Sequence, residues 1–205
     1  MKMIYFFNDY DNFSAEKFLK FLPKNRQEKF NRLKRKNDRD NCAVAYLLLR
    51  FALKENGIED FEIVIGENGK PFLKSGEMFF NISHCAEGAA VVIDTVPVGI
   101  DVQEIGDFNE KVAKRFFNES ENKKINASPD KAKAFTRIWT LKESAIKCEG
   151  KSLADLGEFS FGDYENFFEK YEKKFSCLSE KNVLISVCGD RYFDKIKNVK
   201  TEDFI

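Results

Sequence analysis

The sequence is poor in histidine, glycine, proline and long apolar runs, and each shortage excludes a class of protein. A single histidine among 205 residues excludes a metal site built from several histidines. Only 11 glycines and 4 prolines exclude collagen-like and low-complexity chains. The longest mostly apolar run, residues 42–53, contains Arg50 and is too short to span a bilayer. We therefore expect a folded domain with its own core and no membrane partner.

The cysteines indicate a reducing compartment. There are 5 of them, widely spaced, and no two form a CxxC pair. An odd, scattered set is typical of reduced thiols rather than of a disulfide framework or a zinc site. The first residues reach acidic Asp9 without an apolar stretch of signal-peptide length. The expected location is the cytoplasm, and the expected state is a monomer.

The net charge is zero but unevenly spread. The 34 basic and 34 acidic residues cancel, which argues against a general nucleic-acid partner. Residues 24–39, called the basic segment below, carry +6, so the rest of the chain carries −6. A local basic segment suits a compact polyanion such as a phosphorylated small molecule. A solvated helix face explains it equally well on charge alone.

The chain is predicted to form two α+β halves. In the first, a short helix follows Ser14, and apolar spacing predicts a long buried helix over 38–55 that ends at Asn56-Gly57. Strands are predicted at 2–7, 61–65, 79–83, 89–94 and 98–103. Short links join the last three, which predicts an antiparallel meander.

The second half repeats this composition. Helices are predicted near 110–117 and over 131–149, and strands near 158–161, 174–178 and 183–188. Each half is therefore expected to pack a major helix on a small antiparallel sheet, with the boundary between 1–96 and 97–205.

Chemistry is first indicated on the strand 98–103. Side chains alternate along a strand, so Gly99, Asp101 and Gln103 share one face, with the last two roughly 6.5 Å apart. Oxygen ligands so placed suit a hard metal ion. An aspartate on the wet face of an edge strand is the more common case.

The long second helix carries another charged pair. Glu143 and Lys147 are four residues apart and share a face beside Lys142. An ordinary helix ion pair would explain this spacing. The functional alternative is a carboxylate for metal binding or proton transfer beside an ammonium that binds phosphate.

Ser83 and His84 end a predicted strand. Neighbours on a strand face opposite ways and no G-x-S-x-G elbow surrounds them, so a nucleophile pair is not favoured. A lone histidine is usually structural, but an imidazole and a hydroxyl are also phosphate ligands.

Taken in order, five segments resemble the Sfp-type 4′-phosphopantetheinyl transferases. They are residues 67–71 (ENGKP), 80–84 (FNISH), 97–102 (PVGIDV), 139–147 (WTLKESAIK) and 150–153 (GKSL). The resemblance implies two structurally similar α+β halves related by a pseudo-twofold axis, with coenzyme A and Mg²⁺ bound between them. It also implies transfer of the 4′-phosphopantetheine arm of coenzyme A to a serine of an apo acyl or peptidyl carrier protein, with release of 3′,5′-ADP.

The resemblance assigns roles to individual residues. The half 1–96 is expected to hold the phosphates and adenine of coenzyme A, and the half 97–205 the metal and the catalytic groups. Implied metal ligands are Asp101, Gln103 and Glu143, and implied catalytic residues are Asp101, Glu143 as the base, and Lys147. Implied coenzyme A contacts are Arg26, Lys29, Gly69, Lys70, Pro71, Ser83, His84, Asp101 and Lys147.

The chain departs from the family pattern at position 103. Many members have Glu where this chain has Gln103, so one metal carboxylate is lost. A degenerate member that binds coenzyme A or a carrier without turnover is therefore an alternative. A different coenzyme A user, such as an acyltransferase, would not need both Asp101 and Glu143. A nucleic-acid module built on the basic segment is a third alternative.

Overall fold

A computed structural model describes residues 2–66 and 69–205 and has the predicted α+β class. Glu67 and Asn68, part of the first resembling segment, lie outside the described residues. The strands are β1 (Lys2–Phe7), β2 (Ile63–Ile65), β3 (Pro71–Leu73), β4 (Phe79–His84), β5 (Ala89–Asp94), β6 (Gly99–Glu104), β7 (Phe167–Lys170), β8 (Lys173–Glu180), β9 (Val183–Gly189) and β10 (Phe193–Val199). The α-helices are α1 (Ala15–Phe18), α2 (Lys24–Arg32), α3 (Lys36–Glu55), α4 (Glu110–Phe116), α5 (Glu119–Ala127) and α6 (Lys131–Glu149). Within the described residues, no helix combines the length and apolar content needed to cross a membrane.

The first sheet has the order β10-β1-β5-β4 and is covered by α3. The predicted apolar stripe of α3 is buried, including Ala43, Leu47 and Leu48. Asn56 caps the helix and Gly57 follows with φ of +81°, as the Asn-Gly pair predicts. The small hairpin β2–β3 is a separate two-stranded sheet.

The second sheet is antiparallel, has the order β6-β9-β8-β7 and is covered by α6. Asp130 begins α6 by accepting a hydrogen bond from the Lys133 amide, and Gly150 ends it in the left-handed conformation. The predicted bounds of this helix are confirmed. Each sheet thus carries one long helix, while the pseudo-twofold relation of the halves stays a prediction.

The predicted meander is wrong at its third strand. β4 and β5 pair as expected, but β6 pairs with β9 and so belongs to the second sheet. The other edge of β6 faces side chains of β4. The Ile100 amide donates to Asn81 Oδ1 at 2.9 Å, and the Val102 amide donates to Ser83 Oγ at 3.2 Å. Two polar side chains therefore take the place of a backbone ladder between the sheets.

The C-terminal end departs from the predicted boundary. β10 pairs with β1 in parallel, so the first sheet is mixed rather than antiparallel, and residues after 192 join the first half. Phe204 stacks on Phe7 with ring centroids 5.1 Å apart. No strand forms at 158–161, because Leu153–Glu158 is a 3-10 helix that leads into the core residues Phe159 and Phe161.

A buried ion pair ties α6 to its surroundings. Lys142 Nζ lies 3.0 Å from Glu121 Oε2, and the side chains are 1% and 0% exposed. The ammonium also donates to the carbonyls of Phe116, Leu156 and Phe159. Because a buried ammonium needs all of these partners, it holds the end of α4, helix α5 and the 3-10 segment against α6 at Lys142.

We predict that Lys142→Met lowers the free energy of unfolding by about 3–5 kcal/mol, because Glu121 is left as an unpaired buried charge. The double variant Lys142→Met with Glu121→Leu should lose less, since neither charge remains. Urea unfolding followed by circular dichroism measures both, and Lys151→Met on the surface serves as the control. Equal losses in the single and the double variant would contradict this interpretation.

Candidate active site

Asp101 is the buried centre of a polar cluster where β4, β6 and α6 meet. Its side chain is 2% exposed, and Oδ1 lies 2.6 Å from Lys147 Nζ. Ser83 Oγ donates to the same Oδ1 at 2.8 Å. The second oxygen, Oδ2, is buried and has no hydrogen-bond partner among the described residues.

Glu143 and Lys147 reach this cluster from α6. Lys147 Nζ is 3.7 Å from Glu143 Oε2, so the predicted pair at four-residue spacing exists and includes Asp101 as a third member. Lys142, which precedes Glu143 in the sequence, points into the core, where it pairs with Glu121, and it is not a member of the Asp101 cluster. Two carboxylates therefore share one ammonium group.

Gly99 explains how α6 comes so close to β6. A Cβ atom at this position would lie 2.1 Å from the Ser144 carbonyl oxygen and 2.3 Å from the Cys148 amide. Only glycine permits that approach. The same face continues on β9, where the Ser186 hydroxyl hydrogen-bonds Thr140 of α6 at 2.7 Å. The face with Gly99 and Asp101 is therefore covered by the helix and is not the wet face of an edge strand.

The electrostatics of the cluster favour an added cation. Burial raises the pKa of Glu143, and the charge of Asp101 raises it further. A free buried carboxylate oxygen beside a second carboxylate is the donor chemistry of a hard divalent ion, and the residues present fit one. The described residues include no group of three or more His, Cys, Asp and Glu side chains placed to hold a metal, so the two carboxylates would need oxygen ligands of another kind to complete such a site.

Gln103 and Glu104 lie on opposite faces of β6. Gln103 shares the face of Asp101 and is half-buried, and no described residue hydrogen-bonds its side chain. Glu104 faces Cys85, whose thiol pKa is raised first by burial and also by the Glu104 charge. Gln103 therefore remains the candidate third ligand on this strand.

The two phosphate-ligand candidates of β4 differ in their surroundings. Ser83 is buried, and its Oγ also accepts from Lys147 Nζ at 3.3 Å. His84 is exposed on the adjoining surface. The pKa of its imidazole is lowered, first by the protein atoms that displace water around it and then by Lys147 and Lys29. Charges of both the Asp101 cluster and the basic segment therefore act on His84.

The loop of the β2–β3 hairpin contacts the end of α6 at Lys147. Lys70 precedes β3, and its Nζ donates to the Lys147 carbonyl at the end of α6. Burial lowers the pKa of Lys70. Gly69 has φ of +74°, which the turn needs, and Pro71 begins β3. The sequence did not predict this contact between the first half and α6, because the two lysines are 77 residues apart.

The two residues of α2 that were predicted to contact coenzyme A have different surroundings. Lys29 is close enough to His84 to affect its pKa. Arg26 lines a cleft with Tyr46 and the hairpin residues Ile63 and Ile65. Sequence reasoning missed Asp38, which opposes Lys29 by favouring the charged form of His84. Asp38 stands among the cations of the basic segment, so composition alone did not single it out.

Comparisons with known proteins agree on one family. The 4′-phosphopantetheinyl transferase superfamily matches residues 97–189, which contain Asp101, Glu143 and Lys147. A 4′-phosphopantetheinyl transferase of Bacillus subtilis is 34% identical over 66% of this chain and 63% of its own length. The 4′-phosphopantetheinyl transferase Sfp of Bacillus subtilis strain 168 is 30% identical over 71% of this chain and 68% of its own. The chain thus spans about two thirds of the length of these relatives.

One solved structure adds a weaker likeness. The holo-[acyl-carrier-protein] synthase (AcpS) of Thermotoga maritima is 28% identical and aligns over 47% of this chain and 64% of its own, with a TM-score of 0.32. A score this low establishes no shared arrangement of elements. The identity and coverage of Sfp, together with the superfamily match over the residues of the cluster, show that the chain belongs to the 4′-phosphopantetheinyl transferase superfamily.

Proposed function

We propose that this protein transfers the 4′-phosphopantetheine arm of coenzyme A to a serine of an apo acyl or peptidyl carrier protein and releases 3′,5′-ADP. The observation that carries the proposal is the contact of Asp101, Glu143 and Lys147 at the junction of β4, β6 and α6. Carboxylates and an ammonium at one point are the groups that diphosphate chemistry needs.

Asp101, Glu143 and Gln103 would hold Mg²⁺, which supplies charge neutralisation on the diphosphate when it is bound. Among the described residues, neither Oδ2 of Asp101 nor the side-chain amide of Gln103 has a hydrogen-bond partner, which supports this assignment and leaves the amide oxygen of Gln103 available as a ligand. The side chain of Lys147 is 28% exposed, so its ammonium is accessible to a phosphate.

Glu143 is the proposed base. A raised pKa brings a carboxylate closer to the pH at which a base works well. It takes the proton of the carrier serine as the serine oxygen forms a bond to phosphorus. The phosphorus–oxygen bond to the 3′,5′-ADP group breaks, and that group leaves with the electron pair. Lys147 stabilises the charge that develops on the leaving oxygens.

His84, Lys29 and Arg26 are proposed to bind the phosphates of coenzyme A from the first half, with Ser83 at the diphosphate. Gly69, Lys70 and Pro71 are proposed to line the adenine. The pKa of His84 is lowered in part by Lys147 and Lys29, which supports the placement of both cations near a phosphate bound at His84. The monomeric state, the cytoplasmic location and the absence of a nucleic-acid partner stay predictions.

We expect Asp101→Asn and Glu143→Gln each to lower kcat/KM by about a hundredfold or more, since one removes a metal charge and the other a base. Mass spectrometry of an apo carrier incubated with coenzyme A and Mg²⁺ measures the transfer, and EDTA should stop it. Asp107→Asn and Glu149→Gln are controls of the same chemistry outside the cluster. Near-normal turnover in either cluster variant would refute the assignment, whereas coenzyme A binding without any transfer in the unaltered protein would favour the degenerate member.

For position 103, we expect Gln103→Glu to keep activity and to lower the Mg²⁺ concentration needed for half-maximal rate, because a third carboxylate strengthens a hard-cation site. Gln103→Leu, of similar size but without the oxygen, should raise that concentration. A magnesium titration that is the same in all three proteins would show that position 103 does not touch the ion.

Because the chain has a single histidine, NMR titration of its imidazole tests directly whether Lys29 lies near His84 and whether coenzyme A places a phosphate there. We expect the pKa of His84 to lie below its ordinary value, to rise in Lys29→Met as a repelling charge is removed, and to rise when coenzyme A adds a nearby phosphate. Lys24→Met, on the same helix, is the control. If the pKa of His84 does not respond to Lys29→Met, Lys29 is not part of the proposed phosphate site at His84.

A further inference from the structure

Two buried cysteines meet beside Gly99, where α6 packs on β6. Gly99 stands opposite Cys188 of β9 in the antiparallel register. Residues directly opposite each other in such a pair point their side chains to the same face of the sheet. A Cβ atom on Gly99 would lie 2.9 Å from the Cα atom of Cys148. Cys188 therefore points to the face that α6 covers, beside the glycine on which the backbone of Cys148 packs.

The two thiols are in contact inside the core. Cys148 and Cys188 are 3% and 1% exposed and belong to the same apolar cluster. The largest influence on the pKa of each thiol is its interaction with the other, which lowers the pKa of Cys148 and raises that of Cys188. Cys148 Sγ also donates a hydrogen bond to the Pro97 carbonyl at 3.4 Å. Cys177, the third cysteine of the cluster, accepts a hydrogen bond from the Ser186 hydroxyl at 3.9 Å.

Both thiols lie near the ends of their elements. Helix α6 ends at Glu149, directly after Cys148, and β9 ends at Gly189, directly after Cys188. Glu149 and Asp190, just beyond the thiols in the sequence, are exposed. The ends of helices and strands open more readily than their centres, so a small oxidant can reach the sulfurs during local opening. In a reducing compartment such a pair stays reduced, and the disulfides that form there are transient or respond to oxidants.

We propose that Cys148 and Cys188 form a reversible disulfide when the protein meets hydrogen peroxide, and that this bond lowers the transfer activity. The disulfide itself is independent of the proposed function, and only its effect on activity rests on that function. Cys148 is the attacking thiol, because its lowered pKa makes the nucleophilic thiolate more abundant.

The oxidation takes place in two steps that consume one peroxide. The Cys148 thiolate attacks a peroxide oxygen, the O–O bond breaks, and a sulfenic acid forms as the first water leaves. The Cys188 sulfur then attacks the Cys148 sulfur, so that an S–S bond forms, the S–O bond breaks and the second water leaves. The two thiol protons leave in these waters. Two thiols are oxidised and one hydrogen peroxide is reduced.

The disulfide would displace the end of α6 that carries Lys147. Two bonded sulfurs lie closer together than two thiols in contact, so the helix and the strand must approach each other. Strand β9 is hydrogen-bonded on both edges, to β6 and β8, which leaves the last turn of α6 as the part that moves. Cys148 directly follows Lys147, whose Nζ lies 2.6 Å from Asp101. Because a displacement of about 1 Å in an active site can lower the rate by about a hundredfold, transfer should fall.

The test treats the reduced protein with hydrogen peroxide, blocks the remaining thiols and maps the digested protein by mass spectrometry. We expect a peptide pair joined through Cys148 and Cys188, with loss of only these two of the 5 thiols. Transfer to an apo acyl carrier protein should fall by about tenfold or more. It should recover when a dithiol reduces the bond. The cross-link should also raise Tm, which circular dichroism measures without a variant or a carrier.

Three cysteine variants separate the pair from other thiols. Cys148→Ala and Cys188→Ala should each keep their transfer activity after peroxide treatment, because neither can form the bond. Cys177→Ala removes a buried cysteine of the same cluster but leaves the pair intact. It is the matched control and should lose activity as the unaltered protein does.

Each other outcome overturns the proposal. Oxidation of Cys148 to a sulfinic acid while Cys188 stays free would show that the two sulfurs do not bond. A linked peptide with unchanged transfer would show that the bond does not control activity. An equal loss of transfer in Cys148→Ala would assign the effect to another oxidised group. If the reduced protein modifies no carrier, the proposed function fails, and the linked peptide and the Tm still decide whether the disulfide forms.

Discussion

The ion pair between Lys147 and Asp101 is the interaction on which the rest of the site depends. A carboxylate with 2% exposure is stable only with a cation and hydrogen bonds beside it. Lys147 supplies the cation from α6, and Ser83 supplies a hydrogen bond from β4. Because Asp101 itself stands on β6, one buried charge fixes the relative positions of three elements from both sheets.

Helix α6 has two polar faces with different tasks. Lys142 points into the core, where Glu121 and three carbonyls hold it. Glu143, the next residue, faces Lys147 and Asp101 of β6. Rotation of the helix would disturb both sets of contacts at once, so the buried pair also helps to determine where the Glu143 carboxylate lies. The stability of the second half and the geometry of the site therefore have a common origin.

The sequence predicted what depends on local periodicity. The extent of α6 and the shared face of Gly99 and Asp101 follow from spacing of three, four or two residues, and the end of α3 at Asn56 follows from the Asn-Gly pair. It did not predict that β6 belongs to the second sheet. The edge of β6 that faces β4 is hydrogen-bonded by the side chains of Asn81 and Ser83, and the spacing of apolar residues does not predict such bonds. Contacts such as that of Lys70 with α6 join residues far apart in the chain, and spacing carries no information about them.

The parallel pairing of β1 with β10 has a consequence for the order of folding. Strand β10, which pairs with one edge of β1, is synthesised after the whole second sheet, so that edge of β1 is unpaired until the end of synthesis. Contacts so distant in sequence form late, since a long loop must close before they are gained. The second sheet and α6, whose pairings are more local, can assemble before the first sheet is complete.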